Sequence, residues 1–209
     1  MKPTLLAALA ALLWVPAGLA QPVARHNFSL GLGSAQPRSD LRSLFSDSFG
    51  VAAGYGYRFH PYFQLDAGVD TAFGAAGVRD FLPTAFGDLR IRDYQFMVPF
   101  GGRGILPMAK DRILISGGGG GAYLRYTERV RQPSDFFRFD CPVCASRHGF
   151  GYYALAGANV ALDQYRRFRL GVTSRIFRGH TKGDALGAIG GARTRDHWIN
   201  IYGELTFSF

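Results

Sequence analysis

The last eleven residues alternate without a break. Ile199, Ile201, Gly203, Leu205, Phe207 and Phe209 take the odd positions, and Asn200, Tyr202, Glu204, Thr206 and Ser208 the even ones. Successive side chains of a β-strand point to opposite faces, so this segment reads as a strand with one face in oil and the other in a polar interior. A chain that ends this way is constrained to a sheet whose two sides meet different surroundings.

The N-terminus has the opposite character. Lys2 opens a short basic region, Leu5 to Val15 carries no charge, and Gly18-Leu19-Ala20 ends on small residues. This is the pattern of a secretory signal peptide over residues 1–20, with cleavage after Ala20 leaving Gln21 first. The apolar run is shorter than the about 20 residues that a membrane-spanning helix requires. No cysteine follows the cleavage site to accept a lipid anchor, so attachment to a membrane is expected to come from the fold of residues 21–209, a single domain. Without residues 1–20 there remain 23 basic and 15 acidic residues, a balance of +8. Such a charge suits nucleic acid or lipid phosphates, and export favours the lipid. The 18 Phe, 10 Tyr and 28 Gly, with no long apolar run after Val15, describe short alternating strands and tight bends.

Eight segments keep one apolar parity: around Phe28 to Leu32, Val51 to Phe59, Phe63 to Phe73, Tyr94 to Phe100, Ile113 to Tyr126, Gly149 to Leu162, Phe168 to Ile176, and the terminal one. The fifth contains Gly117 to Gly121 in succession, which blurs its parity. These glycines either permit sharp coiling beside large interior side chains or form a loop, and the flanking Ile113, Ile115, Tyr123 and Tyr126 favour the strand. Short turns are expected near residues 60, 109 and 165. They alternate with long loops at 35–48, 74–90, 128–149 and 179–195, as in a transmembrane barrel with short periplasmic turns and long extracellular loops. Backbone groups in lipid have no water to bond, so the first and last strands must pair and close the sheet.

On these features the chain resembles the small eight-stranded bacterial outer-membrane β-barrels, the OmpA, OmpX and OmpW-like group with an outer-membrane protein β-barrel domain. The resemblance covers essentially the whole chain after Ala20 and rests on architecture, with no catalytic motif. It implies an all-β fold, a closed antiparallel eight-stranded barrel. It also implies that Phe207 and Phe209 form the signal read by the barrel-assembly machinery during insertion.

The inward parity collects Arg58, Asp66, Asp70, Asp93, Gln95, Arg103, Asn159, Arg169, Arg175, Asn200, Tyr202 and Glu204. An eight-stranded barrel is just wide enough for side chains to fill, so a network of ion pairs is expected to plug it, with Glu204 paired to Arg103, Arg169 or Arg175. The loops interleave Arg38, Arg42, Arg79, Arg90, Arg129, Arg131, Arg138, Arg147, Lys182, Arg193 and Arg195 with Phe45, Phe81, Phe86, Phe136, Phe137 and Phe139. Basic and aromatic residues together suit lipopolysaccharide phosphates or an extracellular partner, although Asp135 and Asp140 dilute the field.

Cys141 and Cys144 are the only two cysteines, and export through an oxidising envelope makes a local disulfide the leading expectation. Zinc on Cys141, Cys144 and His148, with His180 or an acid as fourth ligand, and free thiols remain as alternatives. Ser146, His148 and His197 sit near expected strand ends where lipid A-modifying barrels carry a Ser and a His, but no spacing selects a pair. The expectation is therefore a non-enzymatic barrel without cofactor, in contact with outer-membrane lipid and lipopolysaccharide and not with nucleic acid. A narrow porin-like channel and a lipid A-modifying enzyme are the alternatives.

Overall fold

The computed structural model describes residues 24–43, 45–73, 81–84, 87–130, 146–184 and 194–209. The expected signal peptide and both cysteines lie outside these residues. The elements run β1 (His26–Ser39), a 3-10 turn (Asp40–Ser43), β2 (Ser48–His60), β3 (Phe63–Phe73), β4 (Phe81–Thr84), β5 (Gly87–Met108), β6 (Ile113–Val130), β7 (Ser146–Ala161), β8 (Phe168–Gly183) and β9 (Thr194–Ser208).

Every long strand pairs antiparallel with its neighbour, and two further pairings close the ring, β1 with β9 and β3 with β5. Eight long strands thus form a closed barrel. The short β4 pairs only with the first residues of β5, so a hairpin stands where the sequence suggested a loop throughout 74–90. The seam between β1 and β9 runs in register from Asn27 and Ser208 to Ser39 and Asp196. Beyond it, the His26 amide donates to the Phe209 carbonyl at 3.0 Å and the Phe209 amide to the His26 carbonyl at 2.9 Å. Among the described residues the eight long strands leave no edge for water or another chain, and the short β4 is the strand that keeps one. The ladder between β3 and β5 skips the two levels of Val98 and Pro99, and Pro99 has no amide hydrogen to give.

Parity decides which side chains face out. Leu30, Leu32, Leu65, Val69, Phe96, Phe100, Ile115, Leu170, Val172, Ile176, Ile201 and Leu205 are exposed on the outer wall, while the alternate residues of the same strands are buried or half-buried. An apolar surface of this extent around a closed sheet is stable only against hydrocarbon. An aromatic girdle edges it at the short-turn end, where Phe168 and Phe207 lie 5.0 Å apart and Phe207 stacks on Phe209 at 5.5 Å between ring centroids. Tyr123, Phe150 and Tyr152 mark the other edge, with Tyr123 and Phe150 at 5.3 Å.

Gly117 to Gly121 all belong to β6 and keep its register with both neighbours. The backbones approach so closely there that a Cβ at Gly118 would lie 2.2 Å from the Gly102 carbonyl oxygen, and one at Gly120 2.2 Å from that of Phe100. On the outer wall the Phe100 ring covers Gly121, supplying the apolar surface that the glycine lacks.

In the turn between β7 and β8, Asp163 accepts the Phe168 amide at 2.9 Å, which holds its carboxyl below the usual carboxylate range. A depressed folded-state pKa contributes stability above the ordinary value of about 3.9 and loses it as pH falls through the depressed one. Hydrogen exchange should therefore show constant protection of the Phe168 amide from neutral pH to about pH 5, and declining protection at more acid pH. Val172→Arg, on the apolar wall, should destabilise the barrel by about 2–4 kcal/mol in lipid. Urea unfolding checks this, and a cost no greater than that of Arg at an outward position of the rim, such as Tyr165, would contradict the lipid-facing assignment.

Candidate functional site in the lumen and on the outer wall

The lumen is filled in layers. Nearest the long loops the 3-10 turn bends over the opening and sends Leu41 and Phe45 inward, 1 % and 3 % exposed. They join Ala35, Met97, Leu124, Tyr126, Phe177 and Trp198 in one apolar cluster. The Phe45 ring sits 5.7 Å from both Tyr126 and Trp198, and the indole Nε1 donates to the Tyr126 hydroxyl at 3.0 Å. Phe45 was expected on the loop surface. It is a plug residue instead, because burying its ring against two other aromatics outweighs leaving it in water.

Below this plug lies the charged layer. Arg175 donates through Nη1 to Asp70 and through Nη2 to Glu204, the latter at 3.5 Å. Asn200 donates to the second Asp70 oxygen at 3.3 Å, and Thr206 to Glu204 at 3.3 Å. The guanidinium carbon of Arg175 stands 5.8 Å from the Tyr202 ring centroid. Gln95 is buried close by in sequence register, on β5. The next layer pairs Arg103 Nε with Asp66 at 2.5 Å, and Gln64 links that carboxylate to Asn27 through bonds of 2.6 and 2.9 Å. Between the two layers is a void of ≈ 50 Å³, lined by Tyr153, Asn159 and Arg169 among others. Arg58 and Arg169 lie lowest, beside the short turns, with backbone carbonyls as partners. Asp93 falls on β5 opposite Glu128, but its side chain lies outside the described residues.

The interior is therefore not polar throughout, as the parity reading suggested. Trp198, Tyr126 and Phe177 have the inward parity of Asn200 and Arg175 and could have been assigned inward on that ground. Arg147, expected in a solvated loop, is 1 % exposed, and its guanidinium donates to the Thr181 carbonyl and the Thr194 hydroxyl at 3.3 Å each.

The outer wall carries cross-strand rows of basic residues that start level with the Tyr123, Phe150 and Tyr152 girdle and continue beyond it. Arg38, His197 and Arg178 stand level on β1, β9 and β8, then Arg195 and His180 on β9 and β8, then Lys182, His148 and Arg125 across β8, β7 and β6. All have outward parity, and Arg125, His148, Arg178, His180, Lys182 and Arg195 are exposed. Arg38, Lys182 and Arg195 were expected in loops. They extend the strands, because the pairing continues past the apolar wall. Arg178, His180 and Arg125 share the parity of Ile176 and Tyr123, the signal that marks them as outward.

Ser146 and His197 are not brought together. Strand β8 separates their strands, the register puts His197 level with Tyr152 on β7, and the Ser146 amide bonds Asp184 at 3.2 Å. His148 is exposed on the outer wall, and among the described residues no group of three His, Cys, Asp or Glu side chains is placed to hold a metal.

Arg175 compensates two buried carboxylates at once. Arg175→Met should cost about 3–5 kcal/mol by leaving Asp70 and Glu204 without a cation. Glu204→Gln should cost less, since Arg175 keeps Asp70. Urea midpoints of the two variants in the same lipid check the order, and equal losses would mean that Arg175 does not hold both acids.

No family model matches the chain, and no curated protein matches it. Solved structures do match. Neisserial surface protein A (NspA) aligns over 90% of this chain and 100% of its own, with 12% identity and a TM-score of 0.55. Ail, the attachment invasion locus protein of Yersinia pestis, aligns over 87% of this chain and 99% of its own, with 12% identity and a TM-score of 0.46. The outer membrane protease OmpT from Escherichia coli aligns over 92% and 99%, with 8% identity and a TM-score of 0.47. At these identities it is fold alone that is shared, and the Neisserial structure is the one that carries the comparison. The chain has the closed, eight-stranded, all-antiparallel fold of the small outer-membrane β-barrels.

Proposed function

We propose that this protein is an exported, non-enzymatic barrel of the bacterial outer membrane that holds lipopolysaccharide phosphates against its outer wall. The observation that carries this reading is the position of the basic rows. They begin where the apolar wall ends, at the long-loop end, with Arg38, His197 and Arg178 in one row and Lys182, His148 and Arg125 in another four residues farther along β8, and His180 and Arg195 between the two. With the short turns in the periplasm, that height is the headgroup level of the outer leaflet. Guanidinium groups there meet lipid phosphates in a medium of low dielectric, where charge-assisted bonds are strong. The girdle beside them supplies the ring surfaces that settle at such an interface.

The layered interior supports a structural, non-conducting barrel over a narrow channel. The terminal pattern with Phe207 and Phe209 fits insertion by the barrel-assembly machinery. A disulfide between Cys141 and Cys144 would shape only the third long loop.

The test is retention of lipopolysaccharide by the purified protein in zwitterionic nanodiscs. The triple variant Arg125→Gln, Arg178→Gln, Lys182→Gln should fold normally and bind lipopolysaccharide at least tenfold more weakly, and lipid A stripped of its phosphates should bind the native protein as weakly. Unchanged binding in both arms would overturn the proposal. Steady ohmic conductance of the native protein in planar bilayers would favour the channel.

A further inference from the structure

At the short-turn end the lumen opens into a cavity of ≈ 860 Å³ whose walls include Arg25, Arg58, Arg166, Arg167 and Arg169. Asp111 is the one acidic side chain among the lining residues, and it is engaged by Arg166 at 3.5 Å. The terminal residue Phe209 also borders the cavity, with its carbonyl oxygen bonded to the His26 amide at 3.0 Å. Positive charge is thus in large excess.

Arg58 and Arg169 set this cavity apart from an ordinary rim. They are 8 % and 6 % exposed, yet among the described residues neither comes within ion-pair distance of a carboxylate. Arg58 Nε donates to the Pro61 carbonyl at 3.1 Å, its Nη2 donates to the same oxygen, and Arg169 Nη1 donates to the Asp111 carbonyl at 3.1 Å. A guanidinium has five N–H donors, so most of theirs remain for the cavity. Two buried cations hydrogen-bonded to backbone carbonyls, with the Asp111 carboxylate acting on both only from beyond ion-pair distance, destabilise a folded chain, and a packing role would be met better by leucine or phenylalanine. Ala109, Lys110 and Asp111 have φ of 49, 55 and 62°, a left-handed run sparsely populated by residues other than glycine. That run presents the Asp111 carbonyl to Arg169 and its carboxylate to Arg166. Strain of this kind gathers at ligand clamps.

The cavity is blind. Asn27 and Arg169 line both it and the ≈ 50 Å³ void above, which Asp66, Arg103, Arg175 and Glu204 also line, and farther along the bore Phe45, Tyr126 and Trp198 fill it. Past Arg169 there remains only that small void.

From this geometry we infer that the vestibule is a binding site for a small, multiply charged oxyanion, phosphate or carboxylate in kind, drawn from the compartment on the short-turn side. Arginine forks match both groups in bidentate fashion. The volume lies in the about 300–1,000 Å³ range of small-molecule sites, which calls for a solute with more than one anionic group. The cavity is ringed by strand ends and faces away from the apolar wall, so a soluble anion reaches it more directly than a phospholipid headgroup does.

The test is calorimetric titration of the full barrel in zwitterionic nanodiscs with pyrophosphate and with citrate. Saturable binding by at least one of them, weakening as salt is raised, is the expected result. Arg58→Gln and Arg169→Gln should each reduce affinity at least tenfold. Arg167→Gln, at the exposed rim and free of any role in packing, should reduce it severalfold. Arg178→Gln on the outer wall should leave it unchanged while weakening lipopolysaccharide binding, which separates this site from the proposed function. In nanodiscs of anionic phospholipid, retained binding assigns the site to a solute and lost binding to headgroup phosphates. Absence of saturable binding by the native protein, or full affinity in Arg167→Gln together with folded Arg58→Gln and Arg169→Gln, would overturn the inference.

Discussion

The closing ladder between β1 and β9 is the constraint on which the remainder rests. In hydrocarbon an unpaired amide or carbonyl has no water to turn to and costs several kcal/mol, so a sheet there is either closed or unstable. The seam extends through Ser39 at one end and through the paired His26 and Phe209 at the other. Once that ring is complete, strand parity alone assigns every side chain to lipid or to the bore. The bore of eight strands is narrow, so those side chains must also satisfy one another.

That requirement explains the order of the layers. Asp70 and Glu204 share Arg175, and Asp66 takes Arg103, so the carboxylates of the middle bore are matched by cations from the adjacent strand for Asp66 and Glu204 and from across the ring for Asp70. Toward the long loops the filling becomes aromatic, and toward the short turns it becomes cationic without matching acids. Charge on the outer wall follows a separate logic. Its basic rows are confined to the height at which phosphates of a lipid leaflet would lie, and leave the Leu170 to Ile176 stretch apolar.

Most of the architecture was legible in the sequence because period-two alternation is a local property. Leu65 and Asp66, or Leu205 and Glu204, declare opposite faces without reference to the rest of the chain. Even the five glycines of β6 kept their place, since Ile115 and Tyr123 continue one parity across them. Segments beyond the apolar wall were misread. Arg38, Arg147, Lys182 and Arg195 look like loop residues when charge is taken as the mark of a loop, but a ladder of backbone bonds continues past the lipid, and the strand with it. Phe45 was misplaced for a different reason, that a loop returning into the bore is a tertiary event with no period. The Glu204–Arg175 contact was among three alternatives, because parity names the face of a residue and says nothing of which inward neighbour it pairs with. Arg58 and Arg169 had the right face but not the right company. Only three dimensions show that, among the described residues, no carboxylate comes within ion-pair distance of either.

The aromatic cap has a consequence for how the molecule experiences its surroundings. Leu41, Phe45, Tyr126 and Trp198 lie between the long loops and the Asp70–Arg175–Glu204 triad, and each is at most 3 % exposed. Mobile ions weaken charge pairs that they can approach and scarcely affect those behind a dry layer. On the side facing the long loops, changes of salinity in the medium therefore stop at the cap, and the electrostatic spine of the barrel is insulated from the more variable of the two environments it separates.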